Sequence, residues 1–187
     1  MKFFVISDTH GNIEKVKQVY ERLIGIDYLI HLGDLQSDAL KLEKDLGVKV
    51  ISIKGNVDGS HSSSDYKILE TEFGKILLIH GHMEKVKSSY QTLLYRTQEL
   101  NCRAVLFGHT HDSFYGEVDS IYMLNPGSLS LPKYVEKASY AIVNTKKDEF
   151  NASIVYYNTI MGINSSSGNN KVEGGYLKNL LNNSDRF

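Results

Sequence analysis

Cysteine is nearly absent from these 187 residues, with Cys102 the only one. A single thiol excludes an internal disulfide and suits a reducing compartment. Its plain reading is a small buried hydrophobe at a helix–strand junction. An excess of charge of either sign is missing too: 21 Lys and Arg stand against 22 Asp and Glu, for a net charge of −1. Nothing electrostatic therefore points to nucleic acid or to an anionic membrane surface. No apolar run approaches the roughly 20 residues that a membrane span requires. Met1-Lys2-Phe3-Phe4-Val5-Ile6 imitates a signal peptide only briefly, because Ser7-Asp8-Thr9-His10 follows, which no targeting core tolerates. The expectation is an untargeted cytoplasmic protein, away from the membrane. What remains is ordinary: 41% apolar and 23% charged residues, enough for one globular domain with a proper core.

Hydrophobic periodicity organises the chain. Phe3 to Ile6 is a short apolar run fit for a strand buried on both faces. Apolar residues from Ile13 to Ile24 repeat with helical period. Asp27 to Leu32 reads as a strand, Ser37 to Leu46 as a helix ended by Gly47, and Val48 to Ile53 as a third strand. This alternation predicts a right-handed parallel sheet with packed helices. Lys67–Glu72 and Lys75–Ile79 then read as a hairpin across Phe73-Gly74, Val86 to Leu100 as a helix, and Arg103 to Phe107 as a strand. Further strand-like runs lie at 113–118, 121–124, 138–144 and 149–157. Pro126 and Pro132, the only prolines, fall in an expected 125–132 loop. A sheet that begins parallel and ends in meanders suggests two stacked sheets with helices outside. The domain is expected over 1–160. Residues 161–187 form a polar Asn/Ser/Gly-rich tail, with a short helix expected near Gly175 to Leu181.

Chemistry concentrates at the ends of the predicted strands. Asp8 and His10 follow the first, and a spacing of two would put both on one face if the strand continued. Alone, an Asp in that place reads as a helix cap. Gly33-Asp34 follows the second strand, and Gly55-Asn56 the third. His80 and His82 follow the fourth apolar run, and His109 and His111 the fifth. Five of the seven histidines thus sit behind strands, which scattered structural histidines would rarely do. Imidazole nitrogen with carboxylate and amide oxygen suits borderline to hard divalent ions such as Mn²⁺, Fe²⁺, Zn²⁺ and Mg²⁺. No cluster of thiolates is offered, which argues against a structural zinc knot. Two ions held about 3.5–4 Å apart activate a shared water and clamp a phosphoryl oxygen. With Asp8 and Asp34 as the only charged ligands, such a site stays net positive and attracts an anionic phosphoester. Asp58 reads as a turn residue, and His31 and His61 as structural or exposed.

In order, these motifs (Asp8-Thr9-His10, Gly33-Asp34, Gly55-Asn56, His80-Gly81-His82 and Gly108-His109-Thr110-His111) resemble the calcineurin-like metallophosphoesterase superfamily. With Asn125-Pro126-Gly127-Ser128 and the compact length, they are most similar to its small YfcE-like phosphodiesterase group. The resemblance spans Lys2 to about Tyr157. It implies an α/β fold, a four-layer α/β/β/α sandwich of two mixed sheets with flanking helices. It implies a phosphodiesterase in which a metal-bridging hydroxide attacks phosphorus. It also implies two divalent ions, Mn²⁺ first, with Ni²⁺, Fe²⁺, Zn²⁺ or Mg²⁺ as alternatives. Asp8, His10, Asp34 and His111 would take one ion, and Asp34, Asn56, His80 and His109 the other, with Asn56 and His82 serving catalysis. Many members carry histidine after the Gly-Asn asparagine; here it is Val57, which has no proton to give. That departure predicts a preference for substrates with good leaving groups, with His82 as a partial substitute or an orienting residue. The partner expected is a small phosphodiester. Tyrosine-rich strands (Tyr115, Tyr122, Tyr140, Tyr156, Tyr157) offer either sheet packing or a homo-oligomer interface. The rival reading is an interaction module like the retromer subunit of this fold, whose site has lost ligands. Here all seven ligand positions are filled.

Overall fold

The computed structural model describes residues 1–58, 65–134 and 137–162. Its first strand, β1 (Lys2–Ile6), is apolar at nearly every position because it is buried on both faces. Phe3 and Val5 enter one core cluster, while Phe4 and Ile6 enter another. β1 runs parallel to β2 (Tyr28–His31), and β2 parallel to β3 (Val50–Ser52), with Phe4 opposite Leu29 and Ile30 opposite Ile51. The crossovers carry α1 (Glu14–Tyr20) and α2 (Gln36–Leu46), whose Val16, Val19 and Leu42 pack on Phe4, Ile6 and Leu29. α2 ends at Gly47 in the left-handed conformation, as its sequence predicts.

The second sheet begins with the hairpin of β4 (Tyr66–Glu70) and β5 (Lys75–Ile79). After α3 (Gln91–Glu99), β6 (Ala104–Phe107) joins β5 in parallel. β7 (Ser113–Val118) forms the far edge, antiparallel to β8 (Ile121–Pro126), which lies parallel to β6. Side chains alternate here too. Ile76, Leu78, Ala104 and Leu106 face the first sheet, whereas Leu77, Ile79, Val105 and Phe107 face Leu93 and Leu94 of α3. β9 (Ser139–Lys146) and β10 (Glu149–Tyr156) then return to the first sheet, giving the orders β10-β9-β1-β2-β3 and β4-β5-β6-β8-β7. α4 (Tyr157–Met161) closes the described chain. The expected four layers are present: α1 and α2, two mixed five-stranded sheets, and α3. Among the described residues, no helix is long and apolar enough to cross a membrane.

Several boundaries differ from the sequence reading. α1 covers only Glu14–Tyr20 of the expected 13–24, since the Arg22 and Leu23 N–H groups bond to Val19 and Tyr20 in tighter i→i−3 turns. α3 starts at Gln91 rather than Val86, because Lys85 is left-handed and residues 82–88 form turns. Pro126 belongs to the end of β8, opposite Ser113 on edge strand β7, and not to a loop. Tyr140 is buried and Tyr122 stacks on Phe150 at 5.0 Å, so these two pack within the fold. Cys102 is buried between α3 and β6. His61 and all of the tail from 163, with its expected helix at 175–181, lie outside the described residues.

Candidate metal centre

Every candidate side chain sits where a strand gives way to a loop. Asp8 and His10 follow β1, Asp34 follows β2 and Asn56 follows β3, all in the first sheet. His80 and His82 follow β5, and His109 and His111 follow β6, in the second. The β strands stop abruptly. Asp8 (φ 54°), His10 (47°), Asp34 (97°), His109 (68°) and His111 (58°) are all left-handed, so the expected continuation of β1 through Asp8 and His10 does not occur. Instead, reversals of the backbone turn these side chains toward one another.

Two glycines let these loops pack closely. A Cβ on Gly55 would lie 2.0 Å from the Asp34 nitrogen, and one on Gly108 would lie 1.9 Å from Ser7 Oγ and 3.0 Å from Asp8 Oδ2. The Gly-Asn and Gly-His pairs are thus packing devices, the first bringing its loop against the Asp34 backbone and the second against the Ser7 and Asp8 side chains.

Asp8 is fully buried at the centre. Its Oδ2 accepts the His109 backbone N–H at 2.9 Å, while Oδ1 lies 3.4 Å from His111 Nε2 and 3.9 Å from His80 Nε2. Asp34 Oδ2 stands 2.7 Å from His10 Nδ1, off the axis of a hydrogen bond. His10 Nε2 and His111 Nε2 are 3.2 Å apart, and His80 Nε2 is 2.9 Å from Asn56 Oδ1. His82 and His109 lie beyond, their rings 5.4 and 5.1 Å from that of His80. The structure therefore gathers all eight predicted residues. Asp8, His10 and His111 can converge on one point and Asp8, Asp34 and His80 on another, the ligand atoms of each group lying within 4.8 Å of one another. Asp8 belongs to both groups, a more central place than the sequence reading assigned it.

The donor chemistry fits divalent cations. His80 Nδ1–H donates to the Leu32 carbonyl at 2.7 Å and His111 Nδ1–H to the Leu131 carbonyl at 2.6 Å. In the neutral ring each bond leaves Nε2 bare and aimed inward, the arrangement that metal-binding histidines use. Bare His80 Nε2 then faces the Asn56 oxygen, two lone pairs at 2.9 Å that a shared cation reconciles. Asp8 Oδ1 and Asp34 Oδ2, both buried, have no hydrogen-bond donor among the described residues, a costly state for a carboxylate that nothing neutralises.

Electrostatics tell the same story. Burial would raise the Asp8 carboxyl, but His111, His80 and Ser7 outweigh it and hold the group below its ordinary range. Burial raises Asp34 despite His10. The Asp8 carboxylate raises His111, whereas burial and then His80 push His109 down to about 4. Negative oxygens thus face imidazole nitrogens at close range, a charge pattern that a cation placed between them would suit.

Residues other than the candidate ligands hold the loops in place. The Gly33 N–H donates to His31 Nδ1 at 3.3 Å, His31 Nε2–H to Thr9 Oγ1 at 2.9 Å, and Thr9 O–H to Asp38 Oδ2 at 2.7 Å. Asp38 also accepts the Gly11 N–H at 2.7 Å. All three side chains are buried, and burial pushes the His31 imidazole down to about 4. Asp58 accepts the Gln36 and Gly55 N–H groups, the turn role its sequence suggests. Asn125 Nδ2 donates to the Gly108 carbonyl and to Thr110, and Ser128 Oγ donates to the Asp8 carbonyl at 2.8 Å. Sequence reasoning assigned no task to Thr9 or Asp38, because they lie 29 residues apart and only the fold brings them together.

The first 148 residues match the family model of the calcineurin-like phosphoesterase superfamily domain. The chain belongs to that superfamily. A Bacillus subtilis relative named "Probable metallophosphoesterase YsnB" is 31% identical over 84% of this chain and 90% of its own. "Phosphodiesterase YfcE" of Escherichia coli K12 is 27% identical over 77% of this chain and 88% of its own. Among solved structures, a predicted phosphoesterase from Streptococcus pneumoniae TIGR4 superposes with a TM-score of 0.71 at 29% identity, covering 84% of this chain and 90% of that one. Vps29 of Entamoeba histolytica in complex with Zn²⁺ gives 0.68 at 22% identity, over 84% of this chain and 100% of its own, and shares the fold.

Proposed function

We propose that this protein is a dinuclear metal-dependent phosphodiesterase. The observation that carries the reading is the pair of carboxylate–imidazole groups that share Asp8, with His80 and His111 both locked to present Nε2 inward. Asp8, His10, Asp34 and His111 would hold one divalent ion and Asp34, Asn56, His80 and His109 the other, with Asp8 close to both. Mn²⁺ is the first choice, and the donor set also accommodates Ni²⁺, Fe²⁺, Zn²⁺ or Mg²⁺. Two such ions supply Lewis acidity toward a phosphoryl oxygen and an activated water nucleophile.

The protein's own residues do the rest. Asp8 and Asp34 are too few to neutralise four positive charges, so the centre binds an anionic phosphoester. Asn56 fixes the geometry on the His80 side. His82, half-buried beside His80 and His109, meets the substrate from the rim. Val57, half-exposed and apolar, supplies no proton where many relatives have histidine. General-acid help to the leaving group, typically worth roughly 10²–10⁴-fold, is correspondingly reduced. Small diesters with good leaving groups are therefore the favoured substrates. The YfcE name supports this choice of diester over monoester.

The test is hydrolysis of an activated aryl phosphodiester, beside the matching monoester, by chelated protein given Mn²⁺. Turnover is expected to require the metal and to favour the diester. Asn56→Ala and His80→Ala should each lower it by more than the roughly 10–100-fold that loss of an outer partner costs. Absence of turnover with Mn²⁺, Ni²⁺, Mg²⁺ or Zn²⁺, despite two bound ions, would replace this reading with a metal-binding interaction module on the same fold.

A further inference from the structure

The turn after β5 buries a second carboxylate that the proposed chemistry does not use. Glu84 is 3% exposed, and its Oε1 accepts a hydrogen bond from Arg96 Nη1 of α3 at 3.0 Å. Arg96 in turn lies over the Tyr66 ring, 5.0 Å from its centre. The other carboxylate oxygen, Oε2, is buried with no hydrogen bond to any described residue. His82 Nδ1 is in the same condition. Both residues line one small cavity of about 30 Å³, together with Gly81, Arg96 and Asp65. A single water needs roughly 10–15 Å³ of such space and two or more polar partners. Buried polar atoms in folded proteins rarely go without a partner. Among the described residues, neither Glu84 nor His82 belongs to a group of side chains that could gather around a cation, so water is the occupant that fits.

We propose that Glu84 is a positioning residue: through one buried water it holds His82 Nδ1, fixing the ring and tautomer of His82 at the rim of the metal centre. The carboxylate draws a hydrogen from the water, and the water accepts the Nδ1–H. Nε2 is then left as the open nitrogen of the ring. Arg96 supplies the countercharge and ties the turn to α3, so the orientation of His82 is set by the outer helix layer. A histidine at the rim gains a single orientation from this, because a ring with unpaired nitrogens samples several rotamers and both tautomers, and its bare Nε2 can then accept a hydrogen bond from an O–H of the substrate or of its attacking water. The functional consequence rests on the reading of His82 as a substrate contact; the structural linkage does not.

The experiment has two arms. In ¹⁵N-labelled protein loaded with Zn²⁺, the His82 ring should show one tautomer with its proton on Nδ1. Glu84→Ala should mix the tautomers, and Glu84→Gln, which keeps an acceptor, should largely retain the wild-type signals. In hydrolysis of the aryl diester, Glu84→Ala should lower kcat/KM roughly tenfold, with Glu84→Gln recovering most of the loss. The loss should vanish when Glu84→Ala is made in a His82→Ala background. Unchanged His82 ring signals in Glu84→Ala, or an undiminished loss in the double variant, would overturn the proposal and leave Glu84 as a partner of Arg96 alone. If the wild type turns over no diester, the hydrolytic reading fails and the ring signals by themselves decide the role of Glu84.

Discussion

Left-handed backbone outside glycine costs roughly 1–2 kcal/mol per residue, and Asp8, His10, Asp34, His109 and His111 all adopt it. Such conformations persist where surrounding contacts over-determine them, and they gather at functional sites. Here the contacts are visible: Ser128 holds the Asp8 carbonyl, Asn125 holds Gly108 and Thr110, and Asp8 holds the His109 N–H. Gly55 permits the tightest approach of backbone to backbone in the centre. Gly55→Ala would place a Cβ 2.0 Å from the Asp34 nitrogen and 2.3 Å from its Cα, and backbone cannot swing aside as a side chain can. This variant is expected to lose at least about 1–3 kcal/mol of stability and to bind metal more weakly. Thermal unfolding of the chelated protein and metal titration check the two effects separately. Wild-type values in both would show that the Asp34 loop yields easily.

At the scale of elements, the relay from His31 through Thr9 to Asp38 joins the end of β2, the loop after β1 and the start of α2. It carries a pH dependence. His31 is held neutral in the fold down to about pH 4, whereas in the unfolded chain it takes a proton below about 6.5. Between those values the unfolded state binds more protons, so stability is complete above about pH 6.5 and declines as the pH falls toward 4. The loss from this one group is on the order of 3 kcal/mol. Urea unfolding of chelated protein from pH 4.5 to 7.5 should show that decline in wild type and a shallower one in His31→Gln. Parallel profiles would remove His31 as the cause. The elements themselves were largely legible in the sequence. Strands such as 3–6, 75–79 and 104–107 announce themselves as short apolar runs, because burial on both faces demands it. The start of α3 was not legible: Val86 is apolar and buried, which helical periodicity absorbs, yet Lys85 turns left-handed just before it.

The whole molecule places the candidate centre across the gap between two sheets. Asp8, His10, Asp34 and Asn56 come from one sheet, and His80, His109 and His111 from the other. Ions bound there tie the sheets together at one end of the apolar core that Phe3, Ile30, Leu78 and Leu106 form between them. Because such ligands converge only in the fold, binding stabilises it by linkage. At free metal 100 times the dissociation constant the gain is about 2.7 kcal/mol, a rise in Tm of roughly 5–10 °C for a chain of this size. Thermal unfolding with and without chelator measures it. Asp8→Asn, which alters the residue common to both groups, should abolish most of the rise. An equal rise in that variant would move the ions elsewhere.

What the sequence determined by itself was the order of strands and helices and the identity of the candidate ligands. Apolar runs and helical periods are local properties, and so is a histidine or an aspartate placed just beyond a strand. Tertiary structure alone decided three things. It returned β9 and β10 to the first sheet beside β1, a pairing across more than a hundred residues that no local pattern encodes. It turned five ligand-type residues left-handed and braced the loops around Asp8, Asp34 and His109 with Asn125, Ser128 and the glycine contacts, partners that lie far along the chain. It also put the Glu84 carboxylate in one small cavity with the His82 imidazole. Each is set by what lies across space from a residue, and the chain alone specifies only what lies along it.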